Sequence, residues 1–182
     1  MLCFAYQQRE EREMKNQFVF LGICCGVIIG LVVVALLFKK KVLDVTFDER
    51  QERIRGMAYK YAFFTLMIAV WIYGALDLAL GRWCDTLAGI SLCVGASITV
   101  FAVICIVKDA YLGLKERPRA VMTLFVLLTV FNLGIGGMYL ASGELVEDGV
   151  LTFRAVNPIV GLVTLVILIV YLVNVAAERK EG

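Results

Sequence analysis

Apolar residues gather into five long blocks, at 18–38, 61–81, 86–107, 120–142 and 158–177, separated by short polar or charged stretches. Each block is about 20 residues long, which at ~1.5 Å per residue covers the ~30 Å hydrocarbon core of a bilayer. Runs of that length in lipid must be helical, because nothing there satisfies an unpaired backbone N–H or C=O. A β-barrel would instead show alternating segments of ~10 residues, and none is visible. The pattern predicts an all-α polytopic membrane protein. It is a bundle of five transmembrane helices plus one cytoplasmic juxtamembrane helix at about 47–60, forming a single membrane domain over residues 1–182.

The stretch between the first two blocks predicts that extra helix. Thr46-Phe47-Asp48-Glu49 fits a capping box with Thr46 as N-cap and Glu49 reaching back. Asp48 and Glu49 also suit the positive end of the helix dipole. Phe47, Ile54, Met57 or Ala58, and Tyr61 then recur at helical spacing, so the helix starts near Phe47 and can run on into the second block. Glu49 and Arg53 are four apart, a favourable order on a helix surface. The apolar stripe is expected at the lipid headgroups, with Arg50, Arg53 and Arg55 toward anionic lipid.

Small residues mark packing faces. Gly22, Gly26 and Gly30 in the first block let another helix approach closely, either in a homo-oligomer or within the chain. Ser91, Gly95 and Thr99 do the same in the third. Pro118 is placed to begin the helix of the fourth block, which holds Asn132 followed by Gly134, Gly136 and Gly137, residues that permit close packing or a kink. Asn157-Pro158 reads as N-cap and first residue of the fifth helix. The turn Arg82–Asp85 is so short that the blocks on either side must form an antiparallel hairpin, with Trp83 as an interfacial anchor.

Composition agrees with this picture. Hydrophobic residues make up 61% of the 182, with a mean hydropathy of +0.86, against about 45–50% in ordinary soluble domains. The net charge of +2 suggests no nucleic-acid partner. Placement of the charges sets orientation. Lys39, Lys40, Lys41, Arg50, Arg53, Arg55, Lys60, Lys108, Lys115, Arg117, Arg119, Arg179 and Lys180 fall on one side, against Arg9, Arg12, Lys15, Arg82 and Arg154 on the other. That excess predicts a multi-pass protein of the cell membrane with its N-terminus outside and its C-terminus cytoplasmic. The first block is too long for a typical signal-peptide core and lacks a small-x-small site after it, so it is expected to be retained. Met14 reads as a start, which would make residues 1–13 an extension.

Candidate chemistry is sparse. The chain has no histidine, so a Ser–His pair, an HExxH zinc site and histidine-ligated haem are excluded. No phosphate-binding or dinucleotide fingerprint occurs. No catalytic residue, metal site or cofactor is expected. Of the six cysteines, Cys24, Cys25, Cys93 and Cys105 lie in apolar blocks, where thiols behave as small hydrophobes. Cys3 and Cys84 fall on one side, so a bridge between them stays open. Asp77 is the one acidic residue within the blocks, near the end of the second. It is either an interfacial ion pair with Arg82 or a proton or cation site. Asn132 is either an interhelical hydrogen bond of about 0.6 kcal/mol or part of a polar pathway with Asp77 and Thr129. The acidic loop of Glu144, Glu147 and Asp148 reads as solvated.

The run Phe47-Asp48-Glu49-Arg50-Gln51-Glu52, continued by Arg55-Gly56-Met57-Ala58-Tyr59-Lys60-Tyr61-Ala62-Phe63-Phe64-Thr65-Leu66, resembles a motif of small multi-pass membrane proteins of clostridia-type Gram-positive bacteria. The resemblance covers about 20 residues, with Met57 standing where that group often has a basic residue. It implies bacterial origin and a cytoplasmic-membrane location, and brings no activity. Some members of that group are encoded beside helix-turn-helix regulators, so the resemblance hints at a regulatory partner. Two functions follow as expectations. One is non-catalytic interaction with membrane lipid or a cytoplasmic protein through the juxtamembrane helix. The other is transport of a small solute or ion past Asp77 and Asn132.

Overall fold

A computed structural model describes residues 46–113 and 118–181, together with Ile28 and Val32, which are helical and exposed. The chain divides into two units, Met1–Asp44 and Val45–Gly182, and the fold below is that of the second. Gly22, Gly26, Gly30, Cys3, Cys24, Cys25 and nearly all of the first apolar block lie outside the described residues. Within them, four helices are long and apolar enough to cross a membrane: α1 (Glu49–Leu80), α2 (Thr86–Val107), α3 (Pro118–Ala141) and α4 (Val156–Glu181). The described residues thus support four of the five expected crossings.

The separate juxtamembrane helix is corrected. Residues 49–80 form one uninterrupted helix of 32 residues, ~48 Å long at 1.5 Å per residue. Its stripe of Ile54, Ala58 and Ala62 is buried, while Met57 and Tyr61 are exposed. The stripe therefore faces the protein rather than the headgroups. The cap also shifts by two residues. Asp48 Oδ1 accepts from Gln51 N at 2.6 Å and Gln51 Oε1 accepts from Asp48 N at 3.2 Å. Thr46/Glu49 and Asp48/Gln51 both fit the capping pattern. The second wins because a glutamine amide can also donate, and Gln51 Nε2 donates to Asp109 O at 3.1 Å and Leu112 O at 3.3 Å.

Packing follows the order α1–α2–α4–α3, so α2 and α4 form the centre and α1 and α3 the flanks. Small residues set the approach, as lipid leaves no hydrophobic drive between helices. A Cβ on Gly95 of α2 would meet Val163 of α4 at 2.9 Å, and one on Gly136 of α3 would meet Pro158 Cβ at 2.7 Å. Gly134 and Gly137 face open space, so of that trio only Gly136 packs. Polar links are few: Ser97 Oγ donates to Ala62 O at 2.9 Å across α2–α1, and Thr129 and Thr164 hydroxyls meet at 2.9 Å across α3–α4.

The end away from most of the lysines and arginines is closed by a structured cap, on which the acids stay largely solvent-exposed as expected. Val146–Glu147 (β1) and Val150–Leu151 (β2) pair antiparallel around Asp148 and Gly149, at φ 51° and 80°. Positive φ at both turn positions is the hairpin geometry that Asp-Gly favours. Arg154 bridges Glu144 at 3.2 Å and Glu147 at 2.9 Å, so one cation is shared between two of the three acids. A 3₁₀ turn, Phe153–Ala155, leads directly into α4. Helix α4 therefore begins at Val156, ahead of the expected Asn157 cap. Pro158 sits within its first turn, where a missing N–H costs nothing.

This cap is stitched to the α1–α2 turn. Leu151 N donates to Trp83 O at 2.9 Å, Asp85 N to Leu151 O at 2.7 Å, and Phe153 N to Asp85 Oδ2 at 3.0 Å. Cys84 is a free buried thiol beside Ala88, Ala155 and Ile159, and its burial pushes the thiol pKa up. Asp85→Ala removes the acceptor for Phe153 N and the partner of Arg82. It should lower stability by about 1–2 kcal/mol and speed hydrogen exchange at the Phe153 amide. Unchanged exchange there would refute the stitch.

Candidate functional site

The basic end is built on how α2 stops. Asp109 adopts φ 53°. Ala110 N donates to Cys105 O at 2.8 Å and Asp109 N to Ile106 O at 3.1 Å, the paired bonds of a Schellman motif with aspartate in the position glycine usually takes. The chain beyond still exposes carbonyls, and the start of α1 supplies their donors. Arg50 Nη2 donates to Lys108 O at 3.3 Å and Arg55 Nη1 to Ala110 O at 3.1 Å, alongside the two Gln51 bonds. Cations at a helix C-terminus also complement its dipole. Arg55 is sandwiched, its guanidinium 4.0 Å from the Phe47 ring centroid and 5.4 Å from that of Phe101.

This revises the expected role of the arginines. Arg55 is a half-buried structural residue and does not reach toward lipid. Arg53 is exposed, with only a 3.7 Å contact to Glu49 between side chains 78% and 94% exposed, an arrangement worth little. Arg50, Arg53 and Lys108 surround an open hollow of about 560 Å³, also bounded by Glu49, Ile54 and Met57. Asp48 is committed to the helix cap. A second cleft of about 200 Å³, lined by Gln51, Asp109, Tyr111, Leu112, Tyr171 and Asn174, lies beside the same turn.

Comparison of the chain with protein-family models, with curated proteins and with solved structures finds no match.

The membrane-embedded candidates do not converge. Asp77 is exposed on α1, and Arg82 pairs with Asp85 at 2.7 Å instead. The reason is proximity: Asp85 is three residues from Arg82, across a tight turn. Asn132, 9% exposed, donates to Leu128 O at 2.8 Å on its own helix. The interhelical bond expected of it is made by Thr129 and Thr164. With α1 and α3 on opposite flanks, Asp77 and Asn132 do not share a route within the described unit. Among the described residues, no cluster of His, Cys, Asp and Glu could hold a metal. The buried side-chain polar atom without a partner there is Trp83 Nε1. Sequence reasoning missed Gln51, Lys108 and Asp109 as one assembly. Asp48-x-x-Gln51 was a legible signal for the first; nothing local marked the other two.

Proposed function

We propose that this chain is a bacterial integral membrane protein that works without catalysis, presenting its basic end to an acidic partner, either membrane lipid or a cytoplasmic protein. It inserts with the N-terminus outside and the C-terminus in the cytoplasm, as the distribution of lysine and arginine favours. The supporting observation is the seating of Arg50 against the Lys108 carbonyl, which gathers cations 58 residues apart in sequence into one surface. Its partner preference is for negative charge, and the Phe47–Leu66 resemblance fits the same location.

Two measurements test this reading. Alkaline phosphatase fused after Gly182 should be inactive, and an active fusion refutes the orientation. Photo-methionine at Met57, irradiated in intact membranes, should label a lipid or cytoplasmic protein. Arg53→Glu with Lys108→Glu should cut that labelling about tenfold, since two reversals change the local charge by four. Arg50 and Arg55 are left intact because both hold the turn. Labelling indifferent to the reversal would refute an electrostatic interaction surface.

A further inference from the structure

We infer that the hollow between Arg50, Arg53 and Lys108 is a binding site for the phosphate headgroup of an anionic phospholipid. The inference rests on the interaction reading above and names its ligand. Three observations carry it.

The first is depth. Lys108 directly follows the apolar helix Thr86–Val107, so it stands where the hydrocarbon ends. Arg50 donates to its carbonyl, which brings the guanidinium to the same level. The second is the vertical order of chemistry. Arg50, Arg53 and the exposed Met57 recur at helical spacing along one side of α1, and buried Ile54 forms the floor of the same hollow. The apolar pair lies on average ~6 Å further along the helix toward the membrane than the cationic pair. A phospholipid has that order: phosphate outermost, glycerol and acyl chain beneath. The third is charge. The three cations outweigh the single carboxylate of Glu49, which is only weakly engaged by Arg53 at 3.7 Å. Arg50 keeps donors beyond the one spent on Lys108 O, and guanidinium forks match phosphate oxygens. A soluble anion would not use Ile54 and Met57, which is why a lipid is the fitting source.

The test is native mass spectrometry of the full chain in detergent, given equal phosphatidylglycerol and phosphatidylcholine. The wild type should retain phosphatidylglycerol preferentially. Each of Arg53→Gln and Lys108→Gln should reduce that preference roughly fivefold, the share of one juxtamembrane cation. Glu49→Gln should raise it by a similar factor. Thermal unfolding should shift only slightly in all three, by no more than a helix-dipole contact supplies, since these side chains are exposed. Equal retention of both lipids, or a preference indifferent to the variants, overturns the proposal. So does displacement of the lipid by millimolar inorganic phosphate, which would make the site a reader of free anion. If lipid preference fails while Met57 labelling still depends on Arg53 and Lys108, the ligand is an acidic protein surface and only this inference falls. If both fail, the interaction reading falls with it.

Discussion

Gly136→Ala and Gly161→Ala should each lower stability by about 1–3 kcal/mol, the usual cost of overpacking, read as a drop in the unfolding midpoint in detergent. A methyl on Gly161 would meet Leu133 Cδ2 at 2.7 Å, Cγ at 2.8 Å and the backbone nitrogen at 3.0 Å. One on Gly136 would meet the Pro158 ring at 2.7 and 3.1 Å and its Cα at 3.2 Å. Backbone and a proline ring cannot swing aside, so α3 and α4 must separate. Separation also strains the Thr129–Thr164 hydrogen bond at 2.9 Å, the direct side-chain link across this interface. Gly134→Ala and Gly137→Ala are internal controls on the same helix. Nothing lies within 4 Å of either added methyl, and alanine is the better helix former by ~1 kcal/mol. These two should be neutral or slightly stabilising. Equal losses at all four positions would mean that α3 and α4 are not packed this way.

The second large effect is expected at Arg55. Arg55→Ala leaves Ala110 O without its donor at 3.1 Å and removes the cation between Phe47 and Phe101. A hydrogen bond from a charged donor contributes about 1.5–3 kcal/mol, and the ring contacts add about 0.5–1 kcal/mol or more. A loss near 2–3 kcal/mol is therefore expected. Arg55→Lys should recover little, because an ammonium cannot stack and fork as a guanidinium does. Hydrogen exchange across residues 108–112 should accelerate in the same variant. Arg53→Ala should change stability by less than ~0.5 kcal/mol, since its pairing with Glu49 is almost fully solvated. If Arg53→Ala costs as much as Arg55→Ala, the assignment of one arginine to structure and the other to the surface is wrong.

The contrast between these arginines is one that spacing along the chain leaves open. Arg50, Arg53 and Arg55 form one basic group in sequence. Which of them turns inward depends on carbonyls some 55 to 58 residues away, at a helix ending closed by Asp109 where glycine is the usual signal. The hairpin at Val146–Leu151 is marked in its own residues, since Asp148-Gly149 between Val146-Glu147 and Val150-Leu151 is a turn signature. Asp77 and Asn132 were recognised as the polar groups in apolar surroundings, but their separation on flanking helices was not visible in their spacing.

The extent of an apolar run came straight from the chain, as Thr86–Val107 illustrates, whereas the fusion of residues 49–60 with the next run into one helix did not. Crossing a bilayer is a one-dimensional matter of how many apolar residues follow one another, and the solvent enforces it locally. The faces of those helices were another matter. A helix apolar all round carries no sequence mark of inside and outside, because lipid and neighbouring helices are equally oily. The pairing α1–α2–α4–α3, the selection of Gly136 over its neighbours and the gathering of Arg50 with Lys108 therefore arise only from side chains meeting in three dimensions.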